Sequence, residues 1–363
     1  MTSRRRVVLL FGGRSSEHSI SCATAGGILG AIDRELFEVI PVGITRDGAW
    51  TLQADDSARL TLGAELPDVT DDGSRVRLPD SAASREWTVV RSDGVEESLG
   101  EIDVVFPILH GPFGEDGTVQ GALELVGVPY VGSGVLASAM AMDKHATKSA
   151  LAAAGIDVAP WVRLTRSALE RDRSLWERRV RGLGLPLFVK PARAGSSVGV
   201  SKVSQWHEFD AALDIAFAED RSVLVEAAVP GREIECAVLD GRSGTAPRVS
   251  VAGEIVVRGR DFYDFDAKYR NAPGVDLVCP ADLESGELAE AQRLAGAAFE
   301  VLGCAGLARV DFFFDGTRFF VNEVNTMPGF TPISMFPQCW LATGLSYPEL
   351  ITELIDLGLA AER

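Results

Sequence analysis

Residues 306–329, GLARVDFFFDGTRFFVNEVNTMPG, gather more chemistry than any other stretch of the chain. They read as two strands, and alternation puts Leu307, Arg309, Asp311 and Phe313 on one face and Ala308, Val310, Phe312 and Phe314 on the other. On the return strand Phe319, Val321, Glu323 and Asn325 alternate with Phe320, Asn322 and Val324. A two-residue Asp315-Gly316 loop would set Asp311 beside Phe320. A three-residue loop of Asp315, Gly316 and Thr317 pairs residue 314 with 318, so that Arg309, Asp311, Glu323 and Asn325 share a face. The second register is expected, because burying the opposite face then gives one consistent core. Two carboxylates and an amide oxygen suit Mg²⁺, which takes oxygen ligands. A solvated polar face is the competing reading, but such a cluster on a central strand pair is costly without a cation. Arg309 cannot deprotonate and offers a planar fork of donors for a carboxylate or a developing oxyanion. The Asn325-Thr-Met-Pro-Gly turn brings backbone close to a ligand, and Ser334 lies just beyond.

Three other segments carry polar groups at strand ends. Residues 195–199, GSSVG, match the GxSxG nucleophile pattern, but the only later histidine is His207, too near Ser196 for a hydrolase triad. The alternative is a Gly/Ser loop whose N–H groups and hydroxyls face phosphate, with Lys190 supplying charge from the preceding strand. No GK dipeptide exists, so this is not a Walker loop. In GGRSSEHSIS the dinucleotide GxGxxG spacing is missing. Glu17 there is either a first-turn acid favouring the helix dipole or a ligand-binding carboxylate at a strand's carboxyl end. His110, in LHGPFGEDG, also ends a buried strand; a satisfied polar histidine is the plainer account of it.

The elements that must hold these groups follow from periodicity and breakers. The first third alternates strands (7–11, 39–44, 104–109) with helices (from Ser15/Ser16 to 31, and 118–126), which implies a parallel sheet. Residues 54–85 read as a surface insertion. A helix is expected over 139–154, another opened by a Ser167/Glu170 capping box, and strands at 187–190, 200–203 and 223–226 around a helix from Ser204. Strands at 233–239 and 249–257, an aromatic and charged stretch at 261–274, a helix over 284–302 and the hairpin complete the chain. The fold class is α/β, becoming α+β later. The division expected is 1–132, 133–226 and 227–363, with 261–274 acting as a lid.

Across 363 residues the net charge is −17, from 35 basic and 52 acidic residues, which disfavours nucleic-acid partners. Any anionic substrate must meet a local basic cluster against that field. The five-residue apolar run near the N-terminus is too short for a signal peptide or membrane span. Five cysteines without CxxC and four scattered histidines argue for a reduced cytoplasmic protein without a zinc site.

Taken together, FGGRSSEHSIS, FPILHGPFGEDGTVQG, MDKHATK, FVKPARAGSSVGVSKV, VEAAVPGREIEC, FYDFDAKY, ARVDFFF and VNEVNTMPGFTPISMFP resemble the D-alanine–D-alanine ligases of the ATP-grasp superfamily, nearly end to end. The resemblance implies a three-domain ATP-grasp architecture that joins two D-alanine molecules through a D-alanyl phosphate. It implies ATP as co-substrate, two Mg²⁺ or Mn²⁺, and a homodimer. Lys144 and Lys190 match the lysines on the nucleotide phosphates, and Lys268 the one near the transferred phosphoryl group. Glu226, Ala228, Val229 and Glu233 fall where adenosine is held, with Phe262 and Phe313 as further ATP contacts. Asp311, Glu323 and Asn325 match the metal ligands. Arg309 and the Gly329 N–H match the oxyanion donors, and Glu17, Ser196 and Tyr269 a hydrogen-bonded trio over the site. Glu17 and His110 match the first-substrate side, and Ser334 and Met335 the second carboxylate's positions. The adenosine segment EAAV lacks the aromatic that some relatives carry. A D-alanine–D-lactate ligase is the alternative on the same fold; DAKY favours the dipeptide.

Overall fold

The structure, a computed structural model, describes residues 4–63, 66–195, 197–257 and 274–361. Of the expected site residues, Ser196, Phe262, Lys268 and Tyr269 lie outside these, as does nearly all of the expected lid at 261–274.

The apolar runs of the first third become strands β1 (Arg5–Gly12) and β2 (Phe37–Ile44), joined through the helix His18–Ala31. The short strands β3 (Trp50–Leu52), β4 (Arg75–Arg77), β5 (Glu86–Val90) and β6 (Glu96–Glu101) follow, then β7 (Val104–Pro107). The sheet order is β3-β2-β1-β7, with β1 parallel to both neighbours and β3 antiparallel to β2. Its carboxyl ends therefore release Gly13–Glu17 and Ile108–Glu115 on one edge, where α/β sheets bind ligands. Among the described residues of the expected insertion, 54–85, the regular elements are one helical turn at Ser57–Leu60 and the short strand β4. β4, β5 and β6 form an antiparallel sheet anchored by fully buried Trp87.

The second sheet contains β8 (Trp161–Thr165), β9 (Leu187–Pro191), β10 (Ser201–Val203) and β11 (Ser222–Ala227), in the order β10-β9-β11-β8, covered by the helix Phe209–Glu219. The third contains β12 (Arg232–Leu239), β13 (Arg248–Val257), β14 (Val275–Val278), β15 (Leu307–Phe314) and β16 (Phe319–Asn325), in the order β14-β13-β12-β15-β16. The helix Ser285–Val301 covers one face of it. The helix Tyr347–Ala360 buries Leu350, Ile351, Leu354 and Ile355 in a core shared with Val7 and Phe106 of the first sheet and Leu307 of the third.

Four local expectations are corrected. The first helix starts at His18 rather than at Ser15/Ser16, because the Ser15 hydroxyl donates to the His110 carbonyl and accepts from Glu17 N–H. The single helix over 139–154 is two, Val135–Met142 and Lys144–Ala153. Asp143 takes an extended conformation between them and its carboxylate caps His145 and Ala146 N–H, as a short acceptor does at a helix start. The next helix, Arg166–Arg171, is capped by Thr165 rather than opened at Ser167. In the hairpin, residue 314 pairs with 319, so the loop has four residues, and Asn322 is an extra residue between the Phe312–Val321 and Asp311–Glu323 pairs. This bulge reverses the alternation expected for the return strand. Val321 joins the apolar layer with Val324, while Glu323 and Asn325 stay on the face of Asp311 and Arg309.

Phe330, fully buried, meets Phe106, Phe336 and Tyr347 at ring distances of 6.1, 5.7 and 5.5 Å, and so joins the first sheet to the last two helices directly below Gly329. Phe330→Ala should lower the unfolding free energy by about 3–5 kcal/mol. Denaturant melts measure this, and a loss below about 1 kcal/mol would show that the turn does not depend on this packing.

Candidate functional site

Two adjoining cavities lie between the sheets. The smaller, about 140 Å³, is walled by the loops leaving β1, β7 and β16 and by the start of the helix Met335–Thr343. The larger, about 510 Å³, lies between the second and third sheets. Lys144, Ala194, Glu235, Ile255 and Glu323 line both.

The third sheet sets the charge of the site. Register places Glu235 opposite Asp311, and Asp311 opposite Glu323, so three carboxylates stand at one level of β12, β15 and β16. Directly opposed like charges are destabilising, with Cβ atoms only about 5 Å apart. One level along, Arg309 sits opposite Asn325. Its Nε and Nη2 donate to the two oxygens of Asp311 at 2.7 Å each, and Nε lies 3.1 Å from Glu235. Burial works against the guanidinium charge, but Asp311, Glu235 and Glu323 outweigh it and hold its pKa above the ordinary value. The Asn325 amide N–H donates to Asp311 at 2.9 Å. Among the described residues, no three His, Cys, Asp or Glu side chains converge closely enough to hold a metal ion. Arg309 lies between Glu235 and Asp311, and the expected set includes an amide. Glu235 and Asp311 are buried and Glu323 half-buried, so three carboxylates against one guanidinium leave the row negative, and its oxygen donors suit a hard divalent cation.

In the smaller cavity the loop ends bring Glu17, His110, Arg309 and Asn325 together with Gly329, Ser334 and Met335. Glu17 is buried between two glycines: a Cβ at Gly111 or at Gly195 would lie 2.8 Å from its Oε2. That contact lets Gly195 approach the loops at the end of the first sheet. His110 is the satisfied histidine of the plainer reading as well as a cavity wall. Its Nδ1 lies 3.0 Å from the Met327 carbonyl, so Nδ1 carries the proton, and burial lowers its pKa despite Glu17. The Ser334 hydroxyl accepts from Thr331 N–H at 3.1 Å and sits against Gly329.

The larger cavity takes Lys144, Lys190, Glu226, Ala228 and Val229 from one side, and Glu233, Asp311, Phe313 and Glu323 from the other. Lys144 donates from Nζ to the Ala194 carbonyl at 2.7 Å. Lys190 and Lys148 place their Nζ atoms 2.9 and 3.2 Å from Glu226 Oε2. Burial opposes the Glu226 charge, yet the two lysines hold its pKa below the carboxylate range. Burial, with Lys190 nearby, pushes the Lys148 ammonium down despite Glu226.

Every expected site residue among those described thus lines one cavity or the other. Sequence reasoning missed Glu115, Glu235 and Lys148. Glu115 sits in the same HGPFGEDG motif as His110, and Lys148 lies one helical turn past Lys144. Glu235 follows Glu233 by two along a strand; pairing that strand with the hairpin was the signal that could have found it.

The model of the D-ala D-ala ligase N-terminus matches residues 6–133, and that of the C-terminus residues 150–356. A D-alanine–D-alanine ligase of Paenarthrobacter aurescens (strain TC1) is 50% identical over 363 residues, covering 99% of this chain and 96% of its own. One from Streptomyces coelicolor is 50% identical, covering 98% and 93%. Among solved structures, VanG D-Ala:D-Ser ligase from Enterococcus faecalis superimposes with a TM-score of 0.84 at 32% identity, covering 98% of this chain and 100% of the other. The D-alanine–D-alanine ligase from Coxiella burnetii gives 0.82 at 35% identity, covering 98% and 94%.

Glu115 accepts from Gly111 N–H at 2.7 Å and Met327 N–H at 3.1 Å, clamping two of the loops that wall the smaller cavity. Burial, then the charge of Glu17, raises its pKa to about 8 against those two donors. A carboxyl whose folded pKa lies above its unfolded value binds more protons when folded, so its contribution falls as pH rises between the two. Wild-type stability should therefore drop between about pH 5 and 8 by about 3–4 kcal/mol relative to Glu115→Gln. Parallel pH profiles of the two melts would refute the raised pKa assigned to Glu115.

Proposed function

The chain belongs to the D-alanine–D-alanine ligase family, and from that premise we propose that it joins two D-alanine molecules at the expense of ATP. The observation that carries this reading is the junction of the two cavities, where Lys144, Glu235 and Glu323 face both. The roomy lysine-flanked cavity suits the nucleotide, and the small one, with an acid at one end and an arginine within, suits amino acids. Its division into 1–132, 133–226 and 227–363 puts ATP between the last two units.

A carboxylate is a poor electrophile, so the first D-alanine is activated by ATP as an acyl phosphate, with ADP leaving. The second amine then attacks the acyl carbon and inorganic phosphate departs. Glu17 binds the first ammonium. Arg309, oriented by Asp311 and Glu235, presents its remaining N–H groups to the reacting carboxyl and, with Gly329 N–H, to the tetrahedral oxyanion. Lys144 and Lys190 hold the phosphates, and Ser334 receives the second carboxylate. His110, neutral and fixed on Met327, shapes the wall between the loops. Asp311, Glu323 and Asn325 would hold Mg²⁺ or Mn²⁺, which when bound neutralises phosphate charge; catalysis otherwise consists of positioning. Lys268, Tyr269, Ser196 and Phe262 complete the set by resemblance. A cytoplasmic homodimer, with neither nucleic acid nor membrane as partner, is part of the proposal. Among the described residues no helix is long and apolar enough to cross a membrane.

With ammonium on Glu17 and carboxyl on Arg309, inverting the α-carbon drives the methyl into the wall. D-alanine should outpace glycine by about 10–200-fold, since a methyl is worth about 1–3 kcal/mol, and L-alanine should be inactive. ADP release with each amino acid measures this. Glu17→Gln should raise KM for the first D-alanine about 10-fold or more and spare that for ATP. Comparable turnover of L-alanine, or preferred capture of D-lactate or D-serine as second substrate, would overturn the assignment.

A further inference from the structure

The buried triad Lys148–Glu226–Lys190 holds a lysine that the proposed reaction does not use. Lys148 is fully buried, and its Nζ lies 3.2 Å from Glu226 Oε2. Lys190, on β9, shares the same oxygen at 2.9 Å. The two lysines reach it differently. Lys190 keeps some contact with the cavity and lines its wall, whereas Lys148 does not line it and approaches Glu226 from behind. The break at Asp143 aims it. It starts a new helix at Lys144, so that positions 144 and 148 share one face, Lys144 reaching Ala194 and Lys148 reaching Glu226.

A nucleotide entering this cavity brings phosphate oxygens that compete with Glu226 for Lys190. If Lys190 were the only cation near it, Glu226 would lose its partner at the moment it must hold the ligand. A buried carboxylate without a counter-charge takes up a proton. We propose that Lys148 is a positioning residue for nucleotide binding, the permanent counter-ion that keeps Glu226 ionised and oriented once phosphate has drawn Lys190 away. This rests on the reading of the larger cavity as the nucleotide site. Among the described residues, the charged groups facing Glu226 are Lys148 and Lys190, and Glu323 acts on Lys148 from the third sheet.

The test is the pH profile of KM for ATP at saturating D-alanine in wild type, Lys148→Met, Glu226→Gln and the double variant. Lys148→Met should raise KM for ATP roughly 10–100-fold near neutrality, with kcat at saturating ATP changed less than about threefold. The defect should shrink as pH climbs from about 6.5 to 8.5, because Glu226 then ionises without help, while wild type shows no such trend. Combined with Glu226→Gln, Lys148→Met should lose that pH dependence, there being no carboxylate left to ionise. Should Lys148→Met fail to fold, the same comparison between wild type and Lys148→Gln serves. A pH-independent KM increase, or equal losses in kcat and KM, would reduce Lys148 to packing and overturn the proposal. If Glu226→Gln leaves KM for ATP unchanged, the nucleotide reading of the cavity falls, and the proposal with it. If Glu226→Gln raises KM and Lys148→Met does not, the proposal alone falls.

Discussion

Three carboxylates at one level of an antiparallel sheet are the constraint around which the site is arranged. Glu235, Asp311 and Glu323 cannot avoid one another, because strand pairing sets them directly opposite. Arg309 relieves part of the repulsion by gripping Asp311 with two hydrogen bonds and lying against Glu235. What remains is partly buried negative charge in a chain that is already strongly acidic. A triphosphate can enter such a place only with cations. The lysines at the cavity wall supply some of that charge, and the oxygen donors of the row can recruit the rest.

The same economy of charge explains how separate parts of the chain meet. Glu17 comes from the first sheet, yet its carboxylate lies within reach of Gly195 in a loop of the second, because neither Gly111 nor Gly195 has a side chain to keep it away. Glu115 and His110 clamp the loop after β7 to Met327, next to the turn that carries Gly329. Phe330 then buries that turn against the first sheet. The groups that line the smaller cavity are thus held by backbone hydrogen bonds and aromatic packing.

Much of this was legible in the residues. Alternation along the hairpin put Arg309, Asp311, Glu323 and Asn325 on one face, and the structure keeps them there. The loop that achieves this has four residues instead of three, and the Asn322 bulge restores the face that this loop length would have reversed. A bulge leaves no mark in hydrophobic periodicity, since Val321 and Val324 fit either layer. The same limit hid the break at Asp143, where a side-chain cap outweighs an apolar, alanine-rich run. Glu235, Lys148 and Glu115 escaped because each acts through a partner from a distant segment, and spacing within one element cannot show that. The Asp, Ser, Gly and Pro content of 54–85 marked its exposed, irregular course but hid β4, whose Val76 pairs with Val89 of β5.

The central claim is that the carboxylate row admits the nucleotide only when its charge is met by a divalent cation. Calorimetric titration of ATP into the protein, with Mg²⁺ and then with the metal chelated, tests it directly. Affinity should be at least about tenfold, or about 1.4 kcal/mol, weaker without the cation. The gap should narrow in Glu323→Gln, where one charge of the row is gone. Equal affinity under both conditions in the wild-type protein would contradict it.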